Sequence, residues 1–357
     1  MMKEKRNVLI LGASYGSLFA TKLAMAGHSA QLVCLPDEVD LINSEGAIVK
    51  MPIRGREGSI DIRTTDLSGP VSACGPDHAR PEEFDLVVLA MQEPQYRSSE
   101  IRNLLGRIGE TARPCLSIMN MPPLPYLKRI PGLDVDACRD SYTDATAWEG
   151  LEPELVTLCS PDPQAFRPPG LPINVLQVRL PTNFKAARFE SSEHTAMLRQ
   201  LESDIQSARF EIDGKPSEVP VKLRVHESIF VPMAKWCMLI AGNYRCIGKD
   251  GMRPIREAVR SDPKKSREIY EWVSSLCISL GASKADMVPF DKYAQAADSL
   301  ITPSSAARAL AAGAPNIERV DRLVQTIAAN RGLQLTIVDE IVSLVDYWLE
   351  QNRASSP

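Results

Sequence analysis

The chain lacks a basic excess, a long hydrophobic run, paired cysteines and clustered histidines. Each absence removes a class of function. Lys and Arg number 41 against 45 Asp and Glu, a net charge of −4. Nothing in that balance draws the chain onto a polyanion, so nucleic acid is not an expected partner. The longest apolar run, Ile229–Ala241, is interrupted by Lys235 and falls short of the roughly 20 residues a membrane span needs. Val8–Leu11 is too short for a signal-peptide core, and no small-residue cleavage site follows it. The eight cysteines form no C-x-x-C pair and read as reduced, mostly buried thiols, which with the missing signal points to the cytoplasm. His28, His78, His194 and His226 are the only histidines, and no His/Cys/Asp cluster has metal-ligand spacing, so no metal is expected.

What is present is ordinary globular composition, 44% hydrophobic and 24% charged over 357 residues. This excludes a disordered chain, and at roughly 100–200 residues per domain the length predicts two domains. Strand-like and helix-like patterns alternate at the start. Asn7–Gly12 is an apolar run suited to a strand buried on both faces. Ser14–Ala26 reads as a helix closed by Gly27, and Ala30–Leu35 as a second strand. Ala47–Ile53 and Ser59–Thr64 read as a hairpin, Asp85–Met91 and Cys115–Met119 as buried strands, and Ser98–Arg107 as a helix. This order predicts an α/β domain with a Rossmann-like, doubly wound parallel sheet over residues 1–190.

Residues 121–181 hold 11 of the 27 prolines and are expected to be an irregular, extended end of that domain. Two strand-like runs, Leu155–Cys159 and Ile173–Leu180, remain within them. Residues 191–352 are expected to be all helical, with helices at His194–Ala208, Ser228–Ile247, Pro263–Leu280, Ser304–Ala312, Glu318–Arg331 and Thr336–Gln351. A frayed tail over 353–357 follows. The active site is expected in a cleft between the two domains. The helical part permits a homodimer.

Two features carry chemistry. The turn Gly12-Ala13-Ser14-Tyr15-Gly16-Ser17 joins the first strand to the first helix. A glycine turn there lets backbone N–H groups meet a pyrophosphate. It departs from G-x-G-x-x-G, with Ser14 at the second glycine place and Gly16 one residue early. The same string spells G-x-S-x-G, but a serine hydrolase needs a late histidine, and none lies beyond His226. A turn with no ligand is the plainer reading. At the second strand's end, Val33-Cys34-Leu35-Pro36-Asp37-Glu38 places Asp37 two or three residues late for a ribose contact, and no cation sits there. Asp37 reads equally as a solvated loop acid.

The second feature is Lys235, the only charge in Ser228–Gly242. Apolar residues lie on every face of that helix, which predicts burial. A lysine there either serves as a proton donor with lowered pKa or snorkels to the surface. Asn243, eight residues on, would lie about 80° around a regular helix from it.

These residues resemble the ketopantoate reductase (2-dehydropantoate 2-reductase) family. The resemblance rests on the glycine turn, the strand ending in Met119-Asn120-Met121, the lysine helix with its asparagine, and the late Ser304-Ser305 pair. It is clear at 7–35, 85–120, 228–247 and 300–335 and weak over 121–220. It implies a C-terminal helical domain of the 6-phosphogluconate-dehydrogenase-like type and an NADP cofactor, NADPH rather than NADH. Gly12, Ala13, Ser14, Tyr15, Gly16, Met91, Gln92, Gln95 and Asn120 would meet that cofactor. Lys235 would be the general acid, and Asn120, Asn243, Ser304 and Asn316 would meet a small carbonyl substrate.

Departures from the family qualify the substrate. Gln92 stands for a lysine, Leu239 for the first asparagine after Lys235, Leu35 for the strand-end arginine, and Asn316 for a glutamate that hydrogen-bonds substrate hydroxyls. The implied reaction is hydride transfer to a small 2-oxo acid or related ketone other than ketopantoate. Imine reduction and a non-catalytic NAD(P)-binding sensor stand as alternatives. Each polar residue also has a plainer reading. Asn120, Ser304 and Asn316 would cap a turn or helix, Asn243 would satisfy a helix end, and Gln92 would be a solvated strand end.

Overall fold

The computed structural model describes residues 4–355. Those residues form two compact units. The first comprises residues 4–91, 95–126 and 147–227; the second comprises 92–94, 127–146 and 228–355. The division after Glu227 differs from the 190/191 boundary expected from sequence. Three short strands lie between residues 210 and 226 and stay with the first unit, so the stretch after 190 is not all helical.

The first unit starts with β1 (Asn7–Leu11), α1 (Tyr15–Met25), β2 (Ser29–Val33), α2 (Pro36–Glu45), β3 (Ile48–Pro52), β4 (Ser59–Arg63), β5 (Val71–Cys74), β6 (Leu86–Leu89), α3 (Ser99–Glu110) and β7 (Cys115–Ile118). The single turn α4 (Leu124–Leu127) follows. Then come β8 (Val156–Ser160), β9 (Gln164–Phe166), β10 (Val175–Leu180), β11 (Phe184–Ala187), α5 (Ser192–Ser207), β12 (Phe210–Ile212), β13 (Lys215–Ser217) and β14 (Leu223–His226). Eight strands form one sheet in the order β14-β11-β8-β7-β6-β1-β2-β5. Every neighbouring pair is parallel except β8–β11. β1 lies between β2 and β6, with Leu9 opposite Gln31 and Val87. The runs VLIL, LVVL and CLSI are fully buried, as strands covered on both faces require.

The expected hairpin is β3–β4, and it belongs to a second sheet ordered β4-β3-β10-β9. Side chains of that sheet, Val49, Met51, Ile62, Leu176 and Val178, share one core with Leu18, Phe19 and Leu23 of α1. This explains why α1 is buried from Gly16 to Met25, Lys22 included. Lys22 is 1% exposed, and its Nζ donates to the carbonyls of Val219 (3.1 Å) and Pro220 (3.0 Å). Burial, helped by the charge of Lys222, lowers its pKa to about 7. The unfolded chain therefore holds this proton up to about pH 10.5, while the fold releases it near 7. The Lys22 contribution to stability then rises with pH between those values. We expect the stability difference between wild type and Lys22→Met to grow by about 1 kcal/mol per pH unit from 7 to 9. Urea midpoints of the two proteins at matched pH check it, because ionisations that do not sense Lys22 cancel in the difference.

The second unit is helical. A helical segment from Pro232 to Cys246 contains α6 (Lys235–Met238), and α7 (Ile255–Arg260), α8 (Pro263–Ser279), α9 (Phe290–Ala297), α10 (Ser305–Ala311), α11 (Val320–Ala329) and α12 (Thr336–Ser355) follow. From the proline-rich stretch, the short turn Asp136–Ser141 packs against α11. The expected tail is helical through Ser355; residues 1–3, 356 and 357 lie outside the described residues. No helix among the described residues is long and apolar enough to cross a membrane. All eight cysteines are unpaired thiols.

Candidate active site

The glycine turn sits at the carboxyl end of β1. Gly12 has φ +100°, and a Cβ there would lie 2.6 Å from Met91 Cγ and 3.0 Å from the Ala90 carbonyl oxygen. Only glycine fits that approach. Its N–H donates to the Val33 carbonyl (2.8 Å), which fixes the turn against the end of β2. Gly16 serves packing: a Cβ there would meet Ile10 Cγ2 at 2.8 Å and Leu32 Cδ2 at 3.2 Å. This lets α1 lie on β1 and β2. The structure thus brings Gly12, Ala13 and Met91 together at one turn. Ser14 stands at the N-cap of α1, yet its side chain makes no capping hydrogen bond. The first N–H groups of a helix have no intrahelical partners, so a glycine cradle and an N-terminus without a side-chain cap coincide here. That combination fits a pyrophosphate. Tyr15 points its hydroxyl elsewhere, donating to the Pro163 carbonyl (2.9 Å). Asn120 follows β7 directly and is half-buried; Gln95 is exposed.

Gln92 is exposed, and its neighbour Glu93 is 2% exposed. Glu93 accepts hydrogen bonds from the backbone N–H (2.9 Å) and hydroxyl (2.9 Å) of Thr143. Burial pushes this carboxyl up to about 7, against those hydrogen bonds, and the Glu318 carboxylate adds to the rise. Glu93 therefore anchors residues 92–94 to the proline-rich stretch. The sequence carries a signal for it, an acid between a buried strand and a proline.

Lys235 is half-buried, between Ala234 and Trp236, which are buried. The helix expected from Ser228 starts only at Pro232. Beyond Met238 it widens into a π turn over Leu239–Asn243. Tyr293 donates its hydroxyl to the Met238 carbonyl (3.2 Å), and Gly242 admits the ring, since a Cβ there would overlap the Tyr293 oxygen. An inserted side chain takes the carbonyl that the next turn needs. The 80° offset of a regular helix therefore does not hold between Lys235 and Asn243. Widened turns of this kind are frequent at functional sites.

Asn243 is half-buried and its carbonyl accepts from Ser304 Oγ (2.7 Å). Ser304 is 2% exposed, and the same oxygen caps α10 by accepting from the Ala307 N–H (3.2 Å). Its one proton is thus committed to the backbone of Asn243, and it positions that residue. Tyr244 donates its hydroxyl to the Glu318 carbonyl and accepts from the Val320 N–H (3.1 Å). These contacts tie the lysine segment to the turn carrying Asn316. Asn316 caps no helix; its Oδ1 accepts from Arg353 (3.1 Å). Hydrogen bonds thus join Ser304 to Asn243, and its neighbour Tyr244 to Glu318, two residues after Asn316.

At the end of β2 the structure corrects two sequence expectations. Asp37 is in the first turn of α2, not in a loop. A cation is present there, Arg167, ion-paired with Glu38. It arrives from a remote part of the chain, and no local signal announces it.

No protein-family profile and no curated protein matches this sequence. Solved structures do match over nearly the whole chain. A 2-dehydropantoate 2-reductase of Methylococcus capsulatus shares 13% identity over 98% of each chain, with a TM-score of 0.65. A PanE/ApbA family ketopantoate reductase of Ralstonia eutropha JMP134 shares 15%, covering 97% of this chain and 99% of its own, at 0.63. A D-mandelate dehydrogenase, solved with NADH and anilino(oxo)acetate, shares 13%, covering 97% and 99%, at 0.64. The fold is therefore of the ketopantoate reductase type, a Rossmann-like part with a helical part.

Proposed function

We propose that this protein is a nicotinamide-dependent oxidoreductase, a divergent relative of the ketopantoate reductases that reduces a small 2-oxo acid or related ketone. The observation that carries the reading is Lys235, the only charge in Ser228–Gly242, half-buried and one short helical turn before a π turn that starts at Leu239. The glycine cradle at Gly12 and the uncapped start of α1 fit the pyrophosphate of NADP, with Met91, Gln92, Gln95 and Asn120 toward its nicotinamide half. When bound, the nicotinamide supplies the hydride. As the carbonyl carbon accepts it, negative charge grows on the oxygen. Lys235 Nζ stabilises that charge and delivers the proton. The amides of Asn120 and Asn243 orient the carbonyl and its neighbouring polar groups, and Ser304 holds Asn243 in place. Asn316 offers a neutral amide in place of a carboxylate, a weaker acceptor for a substrate hydroxyl, and its Oδ1 already accepts from Arg353, so ketopantoate is not the expected substrate.

The test follows NADPH oxidation at 340 nm with 2-oxo acids, simple ketones and imines, ketopantoate included. Turnover of a 2-oxo acid or ketone above that of ketopantoate supports the reading. Cofactor binding without turnover on any of them would replace it with a sensor role.

A further inference from the structure

We propose that residues 162–167 form a strap over the dinucleotide site and that Arg167 on it selects a cofactor bearing a ribose 2′-phosphate. This rests on the dinucleotide reading above and adds the residue that chooses between NADPH and NADH. The strap leaves the end of β8 and is fixed at four successive places. Asp162 pairs with Lys185 (2.8 Å). The Pro163 carbonyl accepts from Tyr15, the first residue of α1. Residues 164–166 are β9, bound antiparallel to β10. Arg167 pairs with Glu38 in the first turn of α2, just beyond the end of β2. The strap therefore touches both the phosphate turn and the strand end where the adenosine ribose of a dinucleotide lies in this fold.

The chemistry at that strand end favours a phosphate over a diol. Recognition of the ribose diol needs a carboxylate with an oxygen to spare. Glu38 is 5% exposed, with Oε2 accepting the Leu35 N–H (3.0 Å) and Oε1 facing Arg167. Both of its oxygens are committed within the protein. Leu35, at the family's arginine position, is 69% exposed and offers no charge. The Arg167 side chain is 35% exposed, and its planar guanidinium carries five N–H donors. Its Nη2 holds Glu38, and a third of the side chain is open to solvent. A fork of this shape matches a phosphate with paired, charge-assisted hydrogen bonds.

The test compares wild type with Arg167→Met, which keeps the stem and removes the fork, by fluorescence titration with NADPH and NADH. Competition with 2′,5′-ADP and 5′-ADP examines the adenosine half alone. Wild type is expected to prefer NADPH and 2′,5′-ADP. The variant should lose about ten- to a hundredfold in affinity for both while NADH and 5′-ADP bind as before, which also shows an intact fold. A wild type that prefers NADH, or a variant that loses NADPH and NADH equally or neither, overturns the role of Arg167. If wild type binds no nicotinamide cofactor, the failure lies instead with the proposed function.

Discussion

Lys235→Ala is expected to lower turnover by about 10²–10⁴-fold, the range general acid catalysis contributes, with NADPH affinity unchanged within about twofold. The expectation rests on where Lys235 stands. Its neighbours Ala234, Trp236 and Cys237 are buried and hold the backbone of the segment, so removing one half-buried side chain leaves the helix in place. The glycine turn at Gly12–Gly16, where the cofactor is proposed to bind, is in the other unit. Steady-state kinetics and a cofactor titration on the same preparation separate the effects. Partial rescue of the alanine variant by small primary amines would mark the loss as a missing proton donor. A fall in turnover below about threefold, or an equal fall in cofactor affinity, contradicts the assignment.

Asp321→Ala is expected to cost about 3–5 kcal/mol of stability, because it strands a charge in the interior. Asp321 is fully buried and Arg319 is 9% exposed. They meet as a fork, Nε to Oδ1 at 3.0 Å and Nη2 to Oδ2 at 2.9 Å. Arg319 also reaches Asp346 (2.7 Å), which Arg322 shares from its other oxygen (2.5 Å). The cluster joins the start of α11 to α12 and follows directly on Glu318, whose carbonyl holds Tyr244. Damage there should therefore reach the Asn243 turn. Trp236, Trp272 and Trp348 lie in the same unit, so urea unfolding followed by tryptophan fluorescence reports it. A loss below about 1 kcal/mol would show that Asp346 alone satisfies Arg319. Replacing both partners with apolar residues, Arg319→Met with Asp321→Leu, should restore much of the loss.

Legibility from sequence followed burial. β1, β6 and β7 stand out because VLIL, LVVL and CLSI are covered on both faces, which leaves nearly unbroken apolar runs. α1 and α5 carry apolar spacing, and Gly27 marks the end of α1, while α5 starts two residues before the expected His194, capped by Ser191. α2 does not stand out, since Pro36-Asp37-Glu38 has the composition of a turn and also of a helix start. β12, β13 and β14 are three or four residues long, too short to show a period beside a strong helix. At the site, the glycine turn and Lys235 were legible because each breaks a local rule: a glycine where a strand meets a helix, a charge in an apolar segment. The π turn was not, because its cause is Tyr293, fifty-five residues from Met238. The commitment of Ser304 to Asn243 and the arrival of Arg167 at β2 are likewise long-range facts.

The central claim, that a nicotinamide dinucleotide binds at the Gly12–Gly16 turn, is tested most directly by titrating the purified wild-type protein with NADPH and NADH and following nicotinamide fluorescence. The account predicts saturable, micromolar binding, tighter for NADPH. Absence of saturable binding of either cofactor would contradict it, and the oxidoreductase reading would fall with it.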